Sequence, residues 1–397
     1  MRPLLLRHFT ATSCIGSGAA ATLESLLQQR SGLKGCDFET VDIDTHIGEV
    51  PGVDQTRLPD EMRKFDCRNN RLAELALRQD DFLGAVLEAA ERWGRRRVGV
   101  FLGTSTAGIL QTELAYRERD PVSGALPASF EYGATHNSFS VADYVRQRCR
   151  LEGPAVAVSC ACASSAKAFG SARRMIEARL IDAAVVGGVD SLCLTTLYGF
   201  HSLQLSATGP CRPFDVARDG ISIGEAAAFA LLERAPDKLE PRSVLLLGIG
   251  ESSDAYHMSA PHPEGLGARR AMQAALASAG LDADAIDYIN LHGTGTPSND
   301  RAESQAVAGL FGTATPCSST KGATGHTLGA AGALEAIISV LAVEHGLLPG
   351  GVHTGEIDPL LKIRYLRDNQ HAPLQRVLSN SFGFGGTNCS LIFGRAE

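Results

Sequence analysis

The stretch AVAVSCACASSAKAFG (155–170) decides how the chain is read. Ala155–Val158 is a short apolar run that suits a buried strand. Two cysteines follow, Cys160 and Cys162. Small residues then run from about Ser164 to Ala178, a pattern that suits a close-packing helix. A cysteine at such a strand-to-helix turn feels the positive end of the helix dipole and unpaired amides. Both favour the thiolate, and the amides can hold an oxyanion.

Outward from this stretch the alternation continues. Strands are predicted at Leu4–Phe9, Val98–Leu102, Ala183–Val186, Tyr288–Leu291, Arg376–Leu378 and Cys389–Phe393, with Ala226–Leu232 and Val244–Ile249 as neighbours. Helices are predicted at Ala20–Gln29, Gly267–Ala279, Asp300–Leu310 and Leu328–Glu344, with one long amphipathic helix over Asn70–Glu91. This order predicts an α/β architecture with a mainly parallel sheet. Ala168-x-Gly170 is echoed by Ala330-x-Gly332, an offset of 162 residues (330 minus 168), with Ile176 matching Ile338 and Gly188 matching Gly350. The echo predicts two similar halves, 1–238 and 239–397, joined near Pro236–Pro241. The polar segment Arg117–Tyr132 reads as a surface excursion.

Composition narrows the function. The 397 residues are 44% hydrophobic and 20% charged, an ordinary globular balance. Lys and Arg number 37 against 44 Asp and Glu, a net charge of −7, which does not suggest nucleic-acid binding. The ten cysteines are irregularly spaced with no C-x-x-C pair, so a reducing, cytoplasmic setting is expected rather than a disulfide or zinc framework. The N-terminal apolar run is too short for a signal peptide. No apolar stretch reads as reaching the ~18 residues of a membrane span.

Three further glycine-rich stretches carry chemistry. NLHGTGTP (290–297) sets His292 at a strand end, followed by Thr294 and Thr296, whose hydroxyls can bond an amide-rich arm. TKGATGHTLGAAG (320–332) sets Lys321 and His326 before a Gly/Ala helix. It is not a phosphate-binding loop, because Lys precedes Gly. NSFGFGGTN (380–388) interleaves Phe382 and Phe384 with glycine and can present backbone N–H groups. Singly, each has an ordinary structural explanation. Together, one cysteine and two histidines at strand ends are how a nucleophile and its partners are built on an α/β scaffold.

The four stretches together resemble the elongating β-ketoacyl-acyl-carrier-protein synthases, members of the thiolase-fold condensing enzymes. PCRPFD (210–215), GEAAA (224–228) and DAYHM (254–258) add to the likeness, which runs to Phe393. The resemblance implies a thiolase fold layered α-β-α-β-α and a dimer, either of two copies or with a related ketosynthase-like chain. It implies no cofactor and no metal, substrates being carried on the phosphopantetheine arm of acyl carrier protein. It makes Cys162 the nucleophile, with Cys160 a spectator, and His292 and His326 the active-site histidines. Lys321 becomes an ordering residue acting through Glu303, with Asp300 in the same network. Thr294 and Thr296 would touch the pantetheine arm. The amides of Cys162 and Phe384 would form the oxyanion hole, and Phe382 would stand near malonyl entry. Thr106 and Ala107 would set acyl-pocket depth. An acidic carrier protein asks for a basic surface, for which Arg63, Lys64, Arg68, Arg71 and Arg212 are candidates. The implied reaction is decarboxylative condensation of an acyl group on Cys162 with a malonyl thioester, in fatty-acid or specialised polyketide or aryl-polyene synthesis. A thiolase would need a second catalytic cysteine in the last loop, and Cys389 falls just beyond it. An inactive chain-length partner would lack the cysteine.

Overall fold

The computed structural model describes residues 1–240 and 243–396. Pro241 of the expected linker and Glu397 lie outside the described residues.

Five main strands build each half, and the second carries one more short strand, Arg364–Tyr365, at its outer edge. In the first they are β1 (Leu4–Ser13), β2 (Val98–Gly103), β3 (Ala155–Val158), β4 (Ala183–Asp190) and β5 (Ala226–Arg234). In the second they are β6 (Val244–Ser253), β7 (Tyr288–Asn290), β8 (Pro316–Ser318), β9 (Arg376–Gly383) and β10 (Thr387–Arg395). The spatial orders are β3-β2-β4-β5-β1 and β8-β7-β9-β10-β6, so the two halves have one topology. In each, the pairings among the second, third and fourth strands are parallel, and the fifth is antiparallel to the fourth and the first. One strand in five therefore opposes the rest, which fits the expected mainly parallel sheet. The halves meet where β1 pairs with β6 through Leu4↔Leu246 and Leu5↔Leu245. The predicted neighbours Ala226–Leu232 and Val244–Ile249 are therefore not adjacent, because β1 lies between them.

The helices supply three layers. On the outer face of the first sheet, α1 (Arg68–Leu77) and α2 (Phe82–Trp93) replace the single long helix expected over Asn70–Glu91. The break falls at Asp80 and Asp81, both left-handed at φ 52°. Asp80 is drawn out of helical register because its carboxylate accepts the Ala19 N–H at 2.9 Å. Between the sheets lie α3 (Ser164–Glu177) and, from the second half, a later counterpart; α4 (Leu266–Ala279) and α5 (Pro297–Phe311) cover the far face. The counterpart is α6 (Ala331–His345), buried from Ala331 to Val343. Its Leu334, Ile337, Ile338 and Leu341 join the central cluster, where truncating one such residue to Ala typically costs ~2–5 kcal/mol. This gives the α-β-α-β-α layering expected of the thiolase fold.

Two readings need correction here. The 18-residue segment Leu328–His345 is apolar and long enough to span a bilayer, contrary to the expectation that no stretch is; 89% of it is buried within the core. The offset of 162 also fails past the central helices. Gly188 lies in β4, whereas Gly350 lies outside the strand β9 that matches β4. The duplication is real, but the halves differ in loop length.

Candidate active site

The Cys162 turn lies between β3 and α3. Ala161 takes φ 53°, a left-handed conformation that a non-glycine residue adopts only when its surroundings hold it. The turn delivers Cys162 into the interior at 5% exposure. Facing it from the second half, His326 follows the short helix Lys321–Thr324 and places Nε2 3.0 Å from Cys162 Sγ. His292, just past the end of β7, stands with its ring 5.3 Å from that of His326 and nearly perpendicular, at 83°. Donor atoms of all three residues lie within 4.8 Å of one another. A zinc ion accepts such donors, but Zn–S and Zn–N bonds of about 2.3 and 2.0 Å at a tetrahedral angle keep ligands about 3.5 Å apart. Sγ and Nε2 stand closer than that, at hydrogen-bond distance.

The same cavity is lined by Thr294, Thr296, Phe382 and Phe384, so the sequence reading brought these together correctly. The two threonine hydroxyls are 2.9 Å apart, and Thr296 also accepts the Asn299 N–H at the start of α5. Phe382 packs its ring 5.9 Å from His292. The backbone amides of Phe384 and of Cys162 itself both favour the anionic form of the cysteine sulfur. Gly383 lets the loop approach the cysteine turn closely, because a Cβ there would stand 3.1 Å from the Cys162 nitrogen and 3.2 Å from the Cys160 oxygen.

Electrostatics correct the expected thiolate. Burial pushes the Cys162 thiol up to about 12, against the pull of Lys321 and the amides. Burial thus favours the thiol form and opposes the expected pull toward thiolate. Burial, then the Lys321 charge, also holds both histidines well below their usual range, so both are neutral near pH 7.

The lysine network differs from the expectation. Lys321 is ion-paired to Glu335 on α6, not to Glu303. Its Nζ also donates to the His292 carbonyl at 2.6 Å and lies 3.4 Å from His292 Nδ1. Glu303 instead accepts the backbone N–H groups of His292 and Gly293, both at 2.8 Å, and the Asn380 amide at 3.1 Å. Asp300 lies outside the lysine network as well. It accepts from Thr294 N at 3.1 Å, Gly295 N at 3.3 Å and Phe214 N at 2.9 Å. Both acids fix the backbone of the His292–Thr296 turn. Glu335 had a sequence signal that went unused. It is an acid inside an otherwise apolar helix, and such a group is buried only with a partner.

Other candidates fall away from the cavity. Thr106 is buried and gives its hydroxyl to Asp190 at 2.9 Å, and neither it nor Ala107 lines the cavity. Arg68 is 6% exposed and locked to Glu225, Asp54 and Glu49, so it offers no docking surface. Arg71 is spent on Asp66 through two bonds of 2.6 and 2.8 Å. Arg63 and Lys64 are exposed, and half-buried Arg212 sits beside Gly295 of the threonine turn. Cys389 is buried in β10 and does not line the cavity, which leaves the thiolase alternative without its second cysteine.

Comparison with known proteins agrees with this geometry. The beta-ketoacyl synthase N-terminal domain matches residues 9–238, and the beta-ketoacyl synthase C-terminal domain matches residues 244–354. A 3-oxoacyl-(acyl-carrier-protein) synthase 2 from Coxiella burnetii is 32% identical over 99% of both chains. A mitochondrial 3-oxoacyl-(acyl-carrier-protein) synthase from Arabidopsis thaliana is 38% identical over 63% of this chain and 58% of its own. A ketosynthase from Xenorhabdus doucetiae, solved in complex with its chain length factor, superposes with a TM-score of 0.90 at 38% identity, covering 100% of this chain and 98% of the other.

Proposed function

Because the chain belongs to the β-ketoacyl synthase family, it is a condensing acyltransferase, and we propose that Cys162, His292 and His326 carry the reaction in the roles their geometry fits. The reaction joins an acyl group to a malonyl unit on acyl carrier protein, giving 3-ketoacyl carrier and CO₂. The observation that carries the assignment is the 3.0 Å contact between Cys162 Sγ and His326 Nε2, with His292 in the same cavity.

In the first half-reaction the Cys162 sulfur attacks the acyl thioester carbonyl. His326 Nε2 accepts the thiol proton and passes it to the departing carrier sulfur as the carrier C–S bond breaks. The Phe384 and Cys162 amides hold the oxyanion, a donor of this kind being typically worth ~3–4 kcal/mol of barrier. In the second half-reaction a malonyl thioester lies along Thr294 and Thr296. The bond to its carboxylate breaks, CO₂ leaves, and the electron pair is held as an enolate. Lys321 faces His292 Nδ1, which leaves Nε2–H of His292 to donate to the enolate oxygen. His326 joins in its Nε2–H form after taking up one proton from solvent, the proton that the overall reaction consumes. The enolate carbon then attacks the acyl carbonyl, and collapse expels Cys162 as a thiolate that takes this proton from His326 Nε2. Protein groups suffice for each step, so we assign no cofactor or metal.

For the partner we propose a related ketosynthase-like chain, docked along β3. That strand ends the sheet, its outer edge is unpaired among the described residues, and Val156 is 36% exposed. The Xenorhabdus ketosynthase, bound to a chain length factor, supports a specialised polyketide or aryl-polyene setting over housekeeping synthesis. Arg63, Lys64 and Arg212 remain our candidates for contact with the acidic carrier. Ten free cysteines support a cytoplasmic site of action. The test is a panel of acyl carriers with malonyl carrier. Expected are CO₂, a 3-ketoacyl carrier and an acyl adduct on Cys162. Absence of all three across the panel, with and without a partner chain, overturns the proposal.

A further inference from the structure

Asp190 ends β4, is fully buried and lies outside the cavity lining. Its carboxylate gathers two segments that otherwise share no element. Oδ1 accepts the Thr104 hydroxyl at 2.8 Å, the Thr106 hydroxyl at 2.9 Å and the amides of Ser105 and Thr106 at 2.8 Å. Oδ2 accepts the Ser105 amide at 3.0 Å and, from the other half of the chain, the Gly329 amide at 2.5 Å. Gly329 lies three residues past His326. Ser105, held by the same carboxylate, donates its hydroxyl to the Ala161 carbonyl at 3.4 Å, one residue before Cys162. The junction has no slack: a Cβ on Gly329 would fall 2.7 Å from Asp190 Oδ2 and 2.8 Å from Ser105 Oγ. Left-handed non-glycine residues adjoin these contacts: Ala107 at φ 45° follows the Thr104–Thr106 turn, Leu328 at φ 51° precedes Gly329, and Ala161 at φ 53° accepts from Ser105. Such residues persist only where the surroundings over-determine them.

We infer that Asp190 is a positioning residue for the condensation, its carboxylate clamping the Thr104–Thr106 turn to the Gly329 turn and so setting the separation of Cys162 from His326. The clamp holds one reacting group from each half, and the junction between halves is where a duplicated fold can drift. The negative charge of Asp190 also works against ionisation of the Cys162 thiol. Clamp and charge therefore make opposite predictions, which separates them.

The inference rests on the condensing function proposed above, and the experiment keeps the two apart. Wild type, Asp190→Asn and Gly329→Ala are compared in three measurements: steady-state condensation, the pH profile of iodoacetamide alkylation at Cys162, and thermal melting. Wild-type inactivity in the first defeats the functional proposal alone, since alkylation needs no condensation. For Asp190→Asn the amide cannot accept from both sides of the junction. The expected result is a kcat loss of about 10- to 100-fold, the scale of an ångström's misplacement, with the carrier KM held within about twofold. Its alkylation profile moves to lower pH, so the thiol becomes easier to ionise while turnover falls. Gly329→Ala keeps the charge and wedges the junction; it should lose kcat with no shift in that profile. A folded Asp190→Asn with wild-type or raised kcat overturns the clamp. So does a loss confined to melting temperature, with full kcat in the folded fraction, or failure of both variants to fold.

Discussion

Replacing Glu335 by Gln removes the only carboxylate that pairs with Lys321 among the described residues while keeping the side chain's shape. Glu335 is 2% exposed and Lys321 1%. The ammonium would keep the His292 carbonyl at 2.6 Å but lose its counter-charge. Breaking a buried pair by removing one partner costs ~3–5 kcal/mol, roughly two to three and a half orders of magnitude in the folded-to-unfolded ratio. Lys321→Met should cost a similar amount, because it strands the carboxylate. The double variant removes both charges of the pair and should recover most of the loss, giving a coupling of at least about 3 kcal/mol. Lys321→Met combined with Glu303→Gln should couple by less than about 1 kcal/mol, since Glu303 binds backbone amides and Asn380 instead. Equilibrium urea unfolding reads this out through Trp93, the single tryptophan, alongside near-ultraviolet dichroism, with coincidence of the two transitions as the condition for using the numbers. A coupling carried by Glu303 in place of Glu335, or absent from both cycles, refutes the assignment of the lysine's partner.

Cys162→Ala should abolish acyl-enzyme formation by mass spectrometry while leaving slow decarboxylation of malonyl carrier, which uses the histidines. Thr294→Val and Thr296→Val should each raise the KM for malonyl carrier by about 5- to 10-fold, one hydrogen bond's worth, with kcat nearly unchanged. Burial lifts Glu303 from 4.5 to about 7, against the pull of the amides it binds. A folded pKa above the unfolded one gives stability that is complete below about pH 4.5 and lost as pH climbs through 7. Wild-type stability should therefore fall by up to about 3 kcal/mol from this group, and Glu303→Gln should flatten that slope in urea titrations at pH 5 and 8. Arg68→Ala should lower stability through Glu225, leaving the carrier KM alone, whereas Arg63→Ala with Lys64→Ala should raise that KM in a salt-dependent way.

Most of the site was legible because its parts are local. Cys162 sits in a small-residue turn between a strand and a helix, and His292, His326 and Phe384 sit in glycine-rich turns, so each shows in a short local motif. What sequence could not supply was pairing across the halves. Glu303 lies eleven residues from His292 and looked like the lysine's acid. Glu335 lies fourteen residues past Lys321, on the helix that the His326 turn leads into, and it takes the ion pair. Arg68 looked like surface charge because its partner Glu225 is 157 residues away. The long helix over Asn70–Glu91 failed for a similar reason, since the bond that breaks it runs from Asp80 back to Ala19. Periodicity reports a residue's face but is blind to distant partners.

The duplication explains why the site lies where it does. In each half the third strand leads to a helix in the middle layer, α3 directly after the Cys162 turn and α6 after the short helix Lys321–Thr324 and the His326 turn. The two helices pack on one another, with the Ala333 amide donating to Ser165 at 2.8 Å, so their starting turns are brought face to face. The first half has placed a cysteine thiol in that turn and the second an imidazole. Neither half alone holds both, and the 3.0 Å contact exists only across the pseudo-symmetric seam. Stability and catalysis therefore share residues here. A change that loosens the packing of α3 on α6 should lower kcat before it unfolds the chain, because the reacting atoms tolerate less movement than the core does.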